Sequence, residues 1–153
     1  MTSTNCNTQR IGTGIGLFGL RLFLAWEFFE AGKEKWNGEN WFTDVQEGFP
    51  FPFNLLPADF SWTLAMGAEL ILPLFLIFGL FTRFSALSLA ILTAVAWYTV
   101  HAGAGYNVCN NGYKMALIYL VTLLPLFTQG AGMLSLDSLL QRKYSTKDWL
   151  KFL

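Results

Sequence analysis

The chain has 153 residues, of which 54% are hydrophobic, 17% are aromatic and only 13% are charged, and its ten basic and ten acidic residues leave no net charge. Soluble globular domains carry about 25% charged residues, so this chain has too little polar surface to cover a soluble particle of its size. The composition indicates one integral membrane domain. It excludes a disordered chain, a disulfide scaffold and, because no long basic run is present, a nucleic-acid-binding protein.

Four apolar stretches follow one another along the chain, each close to the roughly 20 residues that a helix needs to cross a bilayer. A helix satisfies its own backbone hydrogen bonds in lipid, so we predict an all-α bundle of four transmembrane helices within residues 11–136. The fourth stretch is the weakest, because its strictly apolar part is short. The expected spans are residues 11–31, 60–81, 84–102 and 113–134.

The first predicted helix carries Arg21, and the second carries Glu69 as its one ionisable residue. Counted at about 1.5 Å per residue from opposite sides of the membrane, both side chains lie near the middle of a hydrocarbon core about 30 Å thick. We therefore expect a structural ion pair between Arg21 and Glu69 that locks the two helices together. The alternative is functional, with Glu69 as a proton-accepting carboxylate tuned by Arg21.

The connection between the first two helices, residues 33–59, is crowded with aromatic side chains. This density is typical of a membrane interface, and Pro50 and Pro52 force extended or turn backbone on the residues before them. We expect an aromatic outer loop that caps the bundle, and an interfacial belt and a functional lid stand as equal alternatives. The rings belong to Trp36, Trp41, Phe42, Phe49, Phe51 and Phe53.

A second group of ionisable residues is expected near the outer surface. Glu27 and Glu30 are three residues apart and share a face of the first helix, while His101 ends the third. Because histidine titrates near neutral pH, we predict that His101, Glu30 and Glu27 form a proton relay or a quinone headgroup site. The alternative is a set of helix-end charges that snorkel to the interface. The candidates for holding a cofactor are Trp26, Trp97 and Lys114.

The short outer loop at residues 103–112 contains Cys109, one of two cysteines in the chain. A Cys-x-x-Cys motif is absent, which excludes a self-contained dithiol site. A free thiol is the simpler interpretation of Cys109, and a single soft copper ligand is the alternative. We predict no metal centre, because a catalytic zinc site uses three protein ligands.

The tail, residues 137–153, mixes leucine and aromatic residues with basic ones, which predicts a short interfacial helix; docking of a partner is the alternative. Basic residues also predict the orientation, since six lie at residues 1–10, in the turn at 82–83 and in the tail, against three in the outer loops. We expect a multi-pass protein of a bacterial inner membrane with both termini in the cytoplasm. Gly12 and Gly16 have a spacing that permits close helix approach, in a homo-oligomer for example.

Several motifs occur together and in order. They are Arg21, Gly32-Lys33-Glu34-Lys35, Ala68-Glu69-Leu70, Gly79-Leu80-Phe81-Thr82-Arg83 and Gly130-x-Gly132-x-x-Ser135-Leu136-Asp137. Through this series, residues 15–140 resemble the DoxX family of small four-helix membrane proteins. The resemblance implies the fold, and it links the chain to membrane redox work, including that of a quinone-reducing thiosulfate oxidoreductase subunit.

A narrower set of motifs resembles the HvfX-type branch of that family, which accompanies the maturation of copper-binding modified peptides. These motifs are residues 26–32, 40–42, 49–54 and 100–101. The resemblance implies a subunit or accessory of a membrane redox system, with the bilayer and other subunits as partners and a quinone as the implied cofactor. The alternative is a non-catalytic scaffold or chaperone that recruits partners or guides a peptide.

Overall fold

The computed structural model describes residues 3–143, and within that range the chain is helical with no strands. The α-helices are α1 (Ser3–Asn37), α2 (Phe42–Val45), α3 (Ala58–Phe78), α4 (Thr82–Ala96), α5 (Lys114–Gln129) and α6 (Leu136–Lys143). A π turn, Trp97–His101, continues α4, and 3-10 turns lie at Gln46–Gly48, Phe53–Leu55, Ala102–Ala104 and Val108–Asn110.

The four long helices form a bundle in which α1 packs against α3, α3 against α4, α4 against α5, and α5 against α1. This order places α1 and α4 at diagonal corners. Leucine side chains from all four helices fill the centre, where Leu24, Leu76, Leu89, Leu123 and Leu126 are almost completely buried. The predicted all-α bundle is therefore observed, with three or four apolar helices.

Three segments are long and apolar enough to cross a membrane: Gln9–Asn37, Ala58–Phe78 and Thr82–Ala104. The helix Lys114–Gln129 is apolar but shorter. Large apolar side chains on the outside of the bundle, such as Ile15, Leu64 and Val121, are more than half exposed. A soluble particle would bury such a surface, whereas here it is the surface that lipid covers.

The helix bounds differ from the expected spans at two places. α1 runs on to Asn37, six residues past the expected end, because nothing before Gly38 stops a helix and Lys33 and Lys35 find carboxylate partners. α5 ends at Gln129, five residues short of the expected 134, because Gly130 and Gly132 take positive φ angles of 78° and 76° that end the helix.

The two ends of the bundle differ in the connections they contain. The turn end contains the tight connection at residues 79–81 and the segment 130–135, and the loop end contains the connections 38–57 and 102–113. Residues 3–10, expected outside the membrane, continue α1. A short helix was predicted in the tail, and α6, Leu136–Lys143, is a short helix at the start of that segment. The remainder of the tail, 144–153, lies outside the described residues.

Candidate functional site

A groove of about 810 Å³ runs between α3 and α4 and ends under the connection 38–57. Its walls are almost entirely apolar. Several of its lining side chains, among them Leu64, Ile71 and Ile91, are about half exposed on membrane-spanning helices, so the side opening of the groove faces lipid. The polar side chains that line it are Lys35, Ser61, Thr63, Glu69, Ser88 and His101.

An ion pair between Lys35 and Glu69 lies at the middle of the groove. The Lys35 ammonium donates to both carboxylate oxygens of Glu69, with Nζ–O distances of 2.9 and 2.7 Å. Both side chains are well buried, with exposed fractions of 16% for Lys35 and 3% for Glu69. An ionisable pair inside a membrane protein is costly to place and is a default candidate for function.

The expected Arg21–Glu69 ion pair is wrong, since the partner of Glu69 is Lys35. The reason is the register of α1 against α3. Gly32 packs against Glu69, where a Cβ would lie 3.0 Å from the Glu69 carbonyl carbon, and Arg21 packs against Gly79. Arg21 and Gly32 are 11 residues apart, or about 16 Å along the helix, so Arg21 lies well below the level of Glu69.

His101 reaches the loop end of the groove from the π turn that continues α4. Its Nδ1 lies 2.7 Å from the carbonyl oxygen of Asn111. Because a carbonyl only accepts, Nδ1 carries the proton, and Nε2 is the nitrogen that can meet a ligand. A π turn within an α-helix is frequent at functional sites, and here it is the element that carries His101.

The two carboxylates that were expected beside His101 lie elsewhere. Glu27 accepts a hydrogen bond from the Tyr119 hydroxyl at 2.6 Å, and Glu30 forms an ion pair with Lys33 at 3.0 Å. Both belong to α1, diagonally across the bundle from α4. The prediction that His101, Glu30 and Glu27 form one site is therefore corrected: the hydrogen-bond partner of the imidazole is the carbonyl of Asn111.

The expected cofactor-holding residues also lie outside the groove lining. Trp97 stacks on Tyr113 with ring centroids 5.1 Å apart, and the Lys114 ammonium lies 5.7 Å from the centre of the Tyr106 ring. Trp26 is 66% exposed on α1, where its ring meets lipid. Of the predicted residues, His101 and Glu69 line the groove, at different levels, and Lys35 and Ser61 line it as well.

Four aromatic rings close the loop end of the groove. Phe42 makes edge contacts with Trp41, Phe49 and Trp62, at centroid distances of 4.9, 5.2 and 5.1 Å respectively. A Cβ on Gly48 would lie 3.5 Å from Cγ2 of Thr99, so this aromatic cap extends from α3 across to the π turn. The cap screens the groove from the water beyond the loop end.

A second polar cluster, at the turn end, escaped the sequence analysis as a structural unit. The Asp137 carboxylate accepts from the backbone N–H groups of Phe81 at 3.0 Å and Thr82 at 3.2 Å, and it thereby caps the start of α4. Arg21 is completely buried and donates to the carbonyl of Leu134. Burial raises the pKa of the Asp137 carboxyl above its usual range, although both N–H groups and Arg21 oppose this.

The turn-end residues are those of the last motifs in the ordered series. The Phe81 backbone has a left-handed conformation with a φ of 48°, which residues other than glycine rarely adopt. The hydrogen bond from its N–H to the Asp137 carboxylate stabilises this conformation. The signal was present, since Asp137 and Gly79 were both among the motif residues. The sequence does not show that the segment 130–135 folds back toward α3 and α4, so the contact between Asp137 and Gly79 was not predicted.

Cys109 is an exposed free thiol in the connection between α4 and α5. Its backbone N–H donates to the side chain of Asn107 at 3.0 Å, which holds the local turn. Across residues 3–143, the chain brings together no group of three His, Cys, Asp or Glu side chains that could hold a metal ion.

Comparison with known proteins yields a family and a relative. The model of the DoxX family matches residues 16–102 of the chain. A protein of Haemophilus influenzae, described as an uncharacterized protein, is 66% identical over 149 residues, which cover 97% of this chain and 99% of that protein. No solved structure matches the chain.

Proposed function

The chain belongs to the DoxX family of membrane proteins, and from that premise we propose that it is a quinone-binding subunit or accessory of a membrane redox system. The observation that carries the proposal is the lipid-facing groove between α3 and α4, with Lys35, Glu69 and His101 in its lining. A scaffold with no small-molecule ligand has no need of such a groove.

The groove suits an apolar molecule with a small polar ring. Ligand sites are concave, mostly apolar, and typically about 300–1,000 Å³ in volume, with a few polar groups that fix orientation. This groove has about 810 Å³ and few polar side chains. Its side opening faces lipid, so a molecule dissolved in the bilayer would enter from the membrane, and the aromatic cap would exclude water.

The chemistry of the lining residues fits a quinone. Reduction of a quinone to its quinol takes up two electrons, which a partner subunit would supply, and two protons. The Lys35 ammonium can donate hydrogen bonds, the Glu69 carboxylate can accept a proton, and the unprotonated Nε2 of His101 can accept a hydrogen bond. The roles assigned to this chain are therefore binding, orientation and proton exchange.

The system that the protein would serve is a further part of the proposal. The motifs at residues 26–32, 40–42, 49–54 and 100–101 resemble the HvfX-type branch, so we assign the redox system to the maturation of copper-binding peptides. The excess of basic residues at the turn end and in the tail favours a location in a bacterial inner membrane with both termini in the cytoplasm.

The proposal is tested by measuring the quinone that copurifies with the detergent-extracted protein. Gly67 lines the groove and Gly16 lies on the outer face of α1, and a Cβ at either glycine would meet no atom within 4 Å. Gly67→Leu therefore adds a side chain whose Cβ enters open space in the groove, and Gly16→Leu is its matched control.

We expect quinone in the wild-type and Gly16→Leu proteins and a loss of most of it from Gly67→Leu. A wild-type protein that holds no quinone, and that takes up none from added liposomes, would overturn the proposal. The non-catalytic scaffold would then be the better account. Equal retention by the two leucine variants would place the quinone outside the groove.

A further inference from the structure

We propose that the groove holds the polar ring of its ligand at the loop end, with one ring oxygen at Ser61 Oγ on α3 and the opposite one at His101 Nε2 on α4. The inference rests on the proposed function and deepens it, because it names the subsite and the ligand class. The class is a ring with two hydrogen-bonding oxygens on opposite edges and an apolar tail.

The first observation is the buried hydroxyl of Ser61. Its side chain lines the groove, the residue is only 8% exposed, and Oγ has no hydrogen-bond partner among the described residues. Buried hydroxyl groups are nearly always hydrogen-bonded, because an unpaired one loses its interaction with water without replacement. A ligand oxygen in the groove would supply that partner.

The second observation is that Ser61 and His101 lie at the same level of the bundle. α3 and α4 are antiparallel and joined by the turn at residues 79–81. Ser61 precedes the end of α3 by 17 residues and His101 follows the start of α4 by 19. At about 1.5 Å per residue, these separations are about 26 and 28 Å from the turn.

The third observation concerns the imidazole. The Asn111 carbonyl engages Nδ1 at 2.7 Å, so the ring is held in one orientation with Nε2 as an acceptor. Ser61 can donate to a carbonyl oxygen, and His101 Nε2 can accept from a hydroxyl. Both side chains line the groove, one from each of two adjacent helices, and the axes of adjacent helices lie about 8–10 Å apart.

The ion pair of Lys35 and Glu69, at the middle of the groove, is a less suitable place for the ring than the loop end. Lys35 Nζ already contacts both oxygens of Glu69, at 2.9 and 2.7 Å, so this pair is satisfied without a ligand. Glu69 is eight residues from Ser61, or about 12 Å further from the loop end. The ring at the loop end leaves the length between them, lined by Leu64, Ala65 and Val95, for the tail.

The test measures binding of decyl-ubiquinone and of its reduced form, decyl-ubiquinol, to the purified full-length protein in nanodiscs by quenching of tryptophan fluorescence. The variants are Ser61→Ala, His101→Ala and His101→Gln, and the matched control is Ser85→Ala, which removes a buried hydroxyl of α4 that has no partner among the described residues and lies outside the groove lining. Loss of one hydrogen bond is expected to weaken binding about five- to tenfold. We expect this loss for Ser61→Ala with both forms and for His101→Ala with decyl-ubiquinol, whose hydroxyl can donate to Nε2. We expect an intermediate effect for His101→Gln and no change for Ser85→Ala.

A second probe separates the ring from the tail. Duroquinone has the ring without the tail, and Ser61→Ala should weaken its binding by the same factor as it weakens the binding of decyl-ubiquinone. Wild-type affinity for decyl-ubiquinol in both Ser61→Ala and His101→Ala, while the wild type binds it, would overturn the subsite and leave the proposed function standing. An equal loss in Ser85→Ala would also overturn the subsite. Absence of binding to the wild type would overturn both.

Discussion

At the turn end, every strong contact of Arg21 and Asp137 is made to backbone: Arg21 donates to the carbonyl of Leu134, and Asp137 accepts from the N–H groups of Phe81 and Thr82. In the groove, Glu69 and Lys35 instead contact each other, and their side chains line an open cavity together with His101. Both regions place charged side chains inside an apolar bundle. Charges that contact backbone fix a connection, whereas charges that line a cavity are available to a ligand.

The comparison separates two uses of residues that look alike in a sequence. Arg21 and Glu69 are both ionisable residues within apolar stretches, and the rule that such residues are functional applies to both. Arg21 is fully buried against Gly79 and closes the bundle. Glu69 lines the groove. We therefore expect substitutions at the turn end to change stability and substitutions in the groove to change ligand binding.

The largest effect is expected from Arg21→Met. It leaves the Leu134 carbonyl without its donor and the Asp137 charge without the cation that offsets it. The expected loss is on the order of 3 kcal/mol of unfolding free energy, measured by titration with sodium dodecyl sulfate in bicelles. The control is Arg83→Met, at the same end, where an exposed hydrogen bond to Thr128 is lost. A similar loss in both variants would contradict the special role of Arg21.

A smaller effect is expected from Gly79→Ala. Gly79 has a φ of 64°, and a Cβ there would overlap Nη1 of Arg21. The left-handed conformation alone costs an alanine about 1–2 kcal/mol, and displacement of Arg21 adds to it, so we expect a loss of about 2 kcal/mol in the same titration.

The matched control for Gly79→Ala is Gly67→Ala, within α3, the helix that Gly79 follows. A Cβ on Gly67 meets open space in an ordinary helical conformation, so this change is expected to stabilise the protein by about 0.5–1 kcal/mol. If both alanines are tolerated equally, the tight packing of the turn end around Arg21 is not what holds it together.

The sequence predicted the bundle because apolar stretches separated by turn residues report directly on helices in lipid. The predicted pairing of Arg21 with Glu69 was wrong, because the depth of each residue was counted from the ends of the apolar stretches. The actual register follows from contacts: Gly32 fits against Glu69, and Gly79 fits against Arg21. Small residues set the distance between helices, and a count of residues from an assumed end does not include them.

The candidate site was predicted only in part, because the sequence does not show which side chains are buried or which helices are adjacent. His101 stood out because it is the one histidine of the chain, and its position at the loop end was expected. Ser61 did not stand out, since a serine in an apolar helix is common and its burial without a partner is visible only in three dimensions. The predicted position of Glu30 beside His101 was wrong, because depth alone does not say which corner of a bundle a helix occupies.

The smallest effect is expected from Glu30→Gln, and it tests whether depth or helix position decides function. Glu30 forms an exposed ion pair with Lys33, and exposed pairs contribute about 0–1 kcal/mol. It lies on α1, diagonal to the helix that carries His101, so we expect Glu30→Gln to retain the unfolding free energy and the quinol affinity of the wild type. His101→Ala, measured alongside, should lose affinity with little change in stability. A loss of quinol affinity in Glu30→Gln as large as that in His101→Ala would show that the two residues share one site, and it would contradict the separation of Glu30 from the groove.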